Sequence, residues 1–335
     1  RPSRFPFGFA FMNWLRGEDG STERLTQLCG AYFSTYVVTG VAVKYFQGSP
    51  SAGFPGVPDT AFLVYSTAGG CLLCLAVVLG AGWQRFEGSW RLALPIVPSG
   101  ICTAIVIPTT TIIYSLPISV MVAMVIMRGS IIVVSRLVDE VQIRQGILKR
   151  KVVWEENVAV GFSLGAVAVH LWWEPSAGLS ESPIALAVLG AYVGAYAVRG
   201  YLMNWFKNRG LVGLDNRTWL GSEQIVATRV IAAGMAFSVF SASMVPFFAA
   251  TRQAVLAPHP AWAWAMLAGT VYGLVAFFSV FIFMYKGRTA TFAGLVNRLT
   301  SLVAGTVGTL VFALLFGGKY PKPADWVSLG FIFVA

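Results

Sequence analysis

Charged residues are scarce in this sequence: they make up 11% of its 335 residues, whereas hydrophobic residues make up 56%. With a mean hydropathy of +0.71, the composition lies outside the range of soluble globular domains. The net charge of +10 does not indicate a nucleic-acid surface, because Lys and Arg fall in alternate loops rather than on one basic face. The composition therefore predicts an all-α, multi-pass integral membrane protein with the lipid bilayer as its main partner.

Cysteine is also rare, with four residues, and each of them falls in an apolar segment. Thiols in such segments commonly act as small apolar packing groups, so we expect no disulfide framework. Cys71 and Cys74 form a C-x-x-C sequence without a second pair of ligands, and we expect neither a metal site nor a cofactor. Because the apolar segments lack a nucleophile, a carboxylate pair or a metal cluster, the sequence does not predict an enzyme.

Long apolar runs occupy most of the chain. A helix needs about 20 mostly apolar residues to cross a bilayer, and ten segments meet this requirement. The predicted spans are 26–46, 60–83, 92–113, 117–138, 155–173, 184–206, 222–247, 261–285, 290–316 and 324 onward. Arg1 is not a natural start and the last span is cut off at Ala335, so we expect the chain to be trimmed at both ends.

Basic residues are concentrated on one side of these spans. With a cytoplasmic N-terminus, sixteen Lys and Arg residues fall on the inner side, against only Arg252, Lys319 and Lys322 on the outer side. Because cytoplasmic loops are enriched in Lys and Arg, we expect both termini to be cytoplasmic. The plasma membrane or a bacterial inner membrane is the expected location.

The two halves of the chain contain similar segments in the same order. A shift of 170 residues places Arg128 over Arg298, and a shift of 169 places Gly161-Phe162 over Gly330-Phe331. The polar stretch 174–183 leaves five spans on each side, and two copies of an odd number of spans must insert in opposite orientations. This pattern is typical of secondary transporters. The predicted units are an interfacial N-terminal segment at 1–24, a first five-helix repeat at 25–173, a linker at 174–183 and a second repeat at 184–335, whose last helix is truncated.

Carboxylates are missing from the interior of the predicted spans, since all fourteen acidic residues fall in loops or at span ends. Lys44, Arg199 and Arg229 lie within about two turns of a span end, where their side chains are expected to reach the interface. Arg128 and Arg298 lie near mid-bilayer, where this is difficult. Without an acidic partner, we expect their counter-charge to be a bound anion. The alternative is that they donate to helix-end carbonyls or to polar side chains of neighbouring spans and only brace the two halves.

Polar residues near these arginines complete a predicted substrate site. Ser130 lies beside Arg128, and helical spacing places Asn297 and Ser301 on the same side as Arg298. In the first span, Tyr36 belongs to a polar stripe, and in the third span Pro95, Pro98 and Pro108 are predicted to interrupt the helix. The predicted substrate-binding residues are Arg128, Arg298, Asn297, Ser130, Thr300, Ser301 and Tyr36.

The ten predicted spans in two inverted halves, with cytoplasmic ends and short loops, carry a family resemblance that covers nearly the whole chain, and two segments are its most specific pieces. Met127-Arg128-Gly129-Ser130 resembles the Met-x-Arg-Gly pattern of solute-carrier members of the drug/metabolite transporter superfamily, which includes EamA-type exporters. The segment from Gly294 to Arg298 is similar to the Gly-Ala-Leu-Asn-Lys signature of nucleotide-sugar transporters, with Arg298 in place of Lys. The resemblance implies ten spans, transport activity, and a substrate-binding role for Asn297 and Arg298. The Phe-Tyr-Asn-Asn signature of nucleotide-sugar transporters has no clear match between Phe237 and Ser243.

The sequence thus predicts a secondary transporter that moves a small anionic or zwitterionic metabolite by alternating access. Two alternatives remain: an exporter of hydrophobic or cationic compounds, with an aromatic cavity and internally bonded arginines, and a non-transporting subunit of a membrane complex with a filled centre. A homodimer is also left open.

Overall fold

The computed structural model describes residues 21–84, 94–114, 120–149, 151–173, 183–209, 215–241, 246–285 and 288–335. These residues form eleven α-helices and no strand, which confirms the predicted all-α class. The helices are α1 (Thr22–Gln47), α2 (Asp59–Gly80), α3 (Ile96–Tyr114), α4 (Val120–Arg144), α5 (Trp154–Trp173), α6 (Pro183–Arg209), α7 (Asn216–Phe240), α8 (Pro246–Leu256), α9 (Trp262–Phe283), α10 (Ala290–Phe316) and α11 (Pro323–Val334).

Helix starts follow local capping chemistry. The side chain of Asp215 accepts a hydrogen bond from the Thr218 backbone N–H at 2.7 Å before α7, and that of Thr289 accepts one from the Phe292 N–H at 3.0 Å before α10. Such caps satisfy donors that the first helical turn leaves unpaired. Because α7 begins at this cap, it starts six residues before the predicted span at 222.

Within the described ranges, five helices are long and apolar enough to cross a membrane: α2, α6 from Ala185, α7, α9 and α10. Large apolar side chains also face outward, for example Phe240 at 86% and Phe333 at 74% exposure. A soluble protein rarely exposes such an extensive apolar surface, whereas a bilayer covers it. The protein is therefore an all-helical, multi-pass membrane protein.

Two predicted local features are wrong. The segment between the predicted spans 222–247 and 261–285, expected to be an outer loop from Ala249 to Pro260, is helical as far as Leu256, because α8 follows α7 as a short separate helix. The predicted break at Pro98 and Pro108 is absent, since α3 runs through both, whereas Pro95 lies just before α3 begins at Ile96. Pro98 lies in the first turn, where its missing N–H costs no helical hydrogen bond.

Helix contacts repeat between the two halves of the chain. If α1 to α5 are matched in order with α6, α7, α9, α10 and α11, the contact of α2 with α9 corresponds to that of α7 with α3. Likewise, the contact between α1 and α9 corresponds to the contact between α6 and α3. The contact between α1 and α10 corresponds to that between α6 and α4, and the contact between α4 and α5 corresponds to that between α10 and α11. The packing arrangement is thus closely similar when the halves are exchanged.

The closest of these contacts joins α2 and α9 through glycines. A Cβ atom added at Gly69 would collide with the Met266 carbonyl, and one added at Gly269 would collide with the Ser66 carbonyl. Small residues allow such close backbone approach between membrane helices.

Candidate functional site

A cavity of about 630 Å³ lies between the two halves. We call the end of the bundle where α1 and α10 begin the inner end, and the opposite end the outer end. The cavity reaches the exposed side chains of Lys319 and Tyr320 beyond the end of α10. It extends inward to Arg128 and Arg298, which are only 4% and 5% exposed. The cavity is therefore open at the outer end and has the two predicted arginines in its depth.

Arg128 is held by hydroxyl groups of two other helices. Its guanidinium donates hydrogen bonds to the Tyr36 hydroxyl on α1 and to Ser301 Oγ on α10. The guanidinium also lies over the Tyr36 ring, 5.0 Å from its centroid. These partners orient Arg128 without neutralising its charge, since a hydroxyl or ring carries no full negative charge.

Arg298 has a mainly aromatic environment. Its guanidinium carbon lies 4.7 Å from the centroid of the Tyr196 ring and 5.8 Å from that of Phe283. Within the part of the chain that the structure describes, its Nε and one terminal nitrogen, Nη2, are buried without a hydrogen-bond partner. Buried donors without partners are costly, so this guanidinium is suited to a ligand that supplies acceptors.

The two arginine environments match in detail. Tyr32 and Tyr36 on α1 pair with ring centroids 5.6 Å apart, and Tyr192 and Tyr196 on α6 pair at 4.8 Å. These two pairs are related by a shift of 160 residues, as the arginines are by 170. Tyr192 and Tyr196 were not among the predicted site residues, although the repeated Tyr-x-x-x-Tyr spacing was visible in the sequence.

The remaining predicted site residues lie at different distances from the cavity surface. Ser301 contacts Arg128 directly. Asn297 is fully buried beneath the surface, where it accepts from the Tyr32 hydroxyl at 3.5 Å and donates to Ser279 Oγ at 3.0 Å. Ser130 donates to a carbonyl of its own helix, that of Ile126.

Thr300 does not line the cavity; its side chain lies close to the Cys29 thiol on α1. The structure thus brings Arg128, Arg298, Tyr36 and Ser301 together. Asn297 contacts the cavity-lining Tyr32 and does not line the cavity itself. Ser130 and Thr300 do not belong to this group of residues.

A buried ion pair corrects the prediction that the spans contain no carboxylate. Glu223, fully buried eight residues into α7, accepts from Arg199 Nε at 2.7 Å. The hydroxyls of Ser99 and Thr103 on α3 donate to the same oxygen, each at 2.8 Å. Arg199 is 8% exposed, so the expectation that its side chain reaches the interface is wrong. The carboxylate that pairs with Arg199, that of Glu223, lies inside the helix bundle.

The cavity as a whole has a positive lining. Six basic side chains line it, against two acidic ones at its outer mouth, Asp59 and Asp325. The basic residues are Lys44, Arg128, Arg199, Arg298, Lys319 and Lys322. A cleft lined by one sign of charge between apolar walls concentrates ions of the opposite sign, so the cavity favours anions.

The inner end is closed by a buried carboxylate. Asp139 on α4 is fully buried and accepts from the backbone N–H groups of Ala290 and Thr291 at 2.9 and 2.6 Å, at the start of α10. Asn204 on α6 also donates to it at 3.2 Å. Next to this contact, Thr289 donates to Glu156 of α5 at 2.9 Å. These bonds hold α4, α5, α6 and α10 together below the cavity.

The hydrogen bond between Asn204 and Asp139 at the inner end has a counterpart at the outer end. Lys44 on α1 donates to Thr309 on α10 at 2.7 Å. Lys44 and Asn204 are related by the 160-residue shift, and Thr309 and Asp139 by the 170-residue shift. The same pair of positions therefore forms a hydrogen bond at both ends of the bundle.

No protein-family model matches the chain, and no curated protein matches it. Eighteen chains of solved structures do match. One of them, described only as "Crystal structure of protein", has a TM-score of 0.53 and 13% sequence identity, and the match covers 93% of this chain and 95% of that one. At this identity the likeness concerns the fold alone: nearly the whole helical arrangement occurs in another protein of similar length.

Proposed function

We propose that the protein is a secondary transporter that moves a small anionic or zwitterionic metabolite across the plasma or inner membrane by alternating access. The observation that carries this proposal is the position of Arg128 and Arg298 in a cavity that is open at the outer end and closed at the inner end. A guanidinium presents a planar set of donors that suits carboxylate and phosphate groups. Reaction chemistry forms no part of the proposed function.

The proposed architecture is ten spans in two inverted five-helix repeats, with α8 as an additional short helix. The matched helix contacts support it, as do the matched arginine–tyrosine pairs. In transporters of this kind, the substrate site lies at the interface of the repeats near mid-membrane. The arginine-containing segments in α4 and α10 are also those that resemble the drug/metabolite transporter superfamily.

Uptake into proteoliposomes tests the function. The panel consists of labelled pyruvate, succinate, inorganic phosphate, glycerol 3-phosphate and alanine, which together represent carboxylates, phosphates and a zwitterion. We expect uptake of at least one member, and a reduction of about 100-fold in the Arg128→Ala and Arg298→Ala variants, as for loss of charge-assisted hydrogen bonds. Arg229→Ala is the matched control, because Arg229 is exposed on α7. Unchanged uptake in both cavity variants would refute the assignment.

A second candidate, export of hydrophobic compounds, is favoured by the aromatic lining. Among the residues that the structure describes, six tyrosines line the cavity: Tyr32, Tyr36, Tyr192, Tyr196, Tyr272 and Tyr320. Arg128 is also bonded to protein hydroxyls, as this alternative requires. A resistance assay with hydrophobic and cationic toxic compounds separates the two candidates, because an anion carrier is not expected to confer resistance. The non-transporting subunit requires a filled centre, which the 630 Å³ cavity does not support.

A further inference from the structure

Arg199 and Tyr196 border two separate spaces. Both line the outer cavity, and both also line a small void of about 20 Å³ on its inner side. The lining of this void also includes Asn204 and Ala290, which belong to the closed inner end. A solute that moves from Arg298 to the inner end along this void passes Arg199.

Arg199 is neutralised by a carboxylate, that of Glu223, whose Oε1 accepts from Arg199 Nε at 2.7 Å. Glu223 is fixed from the other side by the hydroxyls of Ser99 and Thr103, which donate to the same oxygen that Arg199 uses. Its second carboxylate oxygen, Oε2, is buried without a partner among the residues described. The carboxylate is thus anchored to α3 and α7, while Arg199 approaches it from α6 through Nε.

We propose that Arg199 forms a second, inner subsite for the oxyanion group of the transported solute, and that Glu223 neutralises this arginine until the anion arrives. This inference depends on the proposed transport of anions. Because a carrier must release its solute as well as bind it, successive sites cannot all bind strongly. Glu223 supplies the competing acceptor that weakens binding at Arg199 and allows release towards the inner end.

Glu223→Gln removes the competing charge and retains a side chain of the same shape. In proteoliposomes, with the panel member that gives the highest wild-type uptake, we expect this variant to lower KM about tenfold and the maximal rate about tenfold, because the anion is held at Arg199. Glu155→Gln on α5 is the matched control, since Glu155 is exposed. A pair that merely braced α3, α6 and α7 would lower the amount of folded protein and leave KM unchanged.

The double variant Arg199→Gln with Glu223→Gln removes both charges and decides the question if the single variant does not fold. Loss of both partners of a buried ion pair is often tolerated, whereas loss of one is not. We expect the double variant to show a KM about tenfold above the wild type, since the inner subsite is gone.

A wild-type KM in the folded single variant, or in the double variant, overturns the subsite. Failure of transport itself is recognised separately: in that case the wild type takes up no panel member, or the Arg128→Ala and Arg298→Ala variants remain fully active.

Discussion

Asp139 shows how one side chain can hold the inner end closed. Its carboxylate accepts from two backbone N–H groups at the start of α10 and from Asn204. It therefore acts as a capping group supplied by another helix, and negative charge at a helix N-terminus is favourable.

We expect Asp139→Ala to lower the free energy of unfolding by about 2–3 kcal/mol, because three buried donors lose their acceptor. The measurement is unfolding in SDS from a mixed-micelle reference state. Glu155→Ala, at an exposed position on α5, is expected to change stability by less than about 0.5 kcal/mol. Equal stability of the two variants would contradict the role of Asp139.

At the level of single residues, the sequence predicted the deep position of Arg128 and Arg298 because each lies near the centre of a long apolar run. It did not predict the pair of Arg199 and Glu223. The predicted seventh span began at 222, which placed Glu223 at a membrane surface, whereas the helix begins at Asn216. Charge pairing between helices also depends on which helices are neighbours, and hydropathy contains no such information.

Glycine contacts between α2 and α9 determine how closely these two helices pack. We expect Gly269→Ala to lower the free energy of unfolding by about 1–3 kcal/mol, because the new methyl group meets the Ser66 backbone and the helices must move apart.

Gly234→Ala on α7 provides a control with the opposite expected sign. A Cβ atom at Gly234 meets nothing within 4 Å, so the higher helix propensity of Ala should leave stability unchanged or raise it by up to about 1 kcal/mol. SDS unfolding of both variants measures the difference. A stable Gly269→Ala protein would show that α2 and α9 are less closely packed than described.

At the level of helices, each predicted span contains a helix, because a continuous apolar run of this length has few other stable conformations in a bilayer. Helix α8 was missed because its 11 residues are too few to cross a membrane. Packing partners could not be predicted from apolar runs. The 170-residue echo nevertheless pointed to α4 and α10, which contact each other in the structure.

The molecule as a whole is open at one end, and this predicts sided chemical labelling. In a variant without the four native cysteines, Thr39→Cys lies on the wall of the outer cavity. Ser135→Cys lies at the small inner void, where Ser135 is buried with 6% exposure. We expect a membrane-impermeant maleimide added from outside intact cells to label Thr39→Cys at least about tenfold faster, because reaction requires solvent access.

In inverted vesicles, the added maleimide reaches the cytoplasmic face of the protein. Labelling there should not reverse this order while the inner end stays closed. Faster labelling of Ser135→Cys than of Thr39→Cys from outside would refute the expected orientation, with its cytoplasmic termini. Equal rates would show that position 135 is as accessible to solvent as position 39 when the protein is in the membrane.

The bond between Lys44 and Thr309 and the bond between Asn204 and Asp139 occupy corresponding positions but have different chemistry. On the proposed duplication, two identical copies would make the outward-open and inward-open conformations equal in free energy. A cation at one end and an amide at the other remove that equality, and a difference of about 1.4 kcal/mol already gives a tenfold excess of one conformation. Exchange of these side chains between the two ends should therefore change the side on which the empty carrier rests, without any change to the residues that contact its solute.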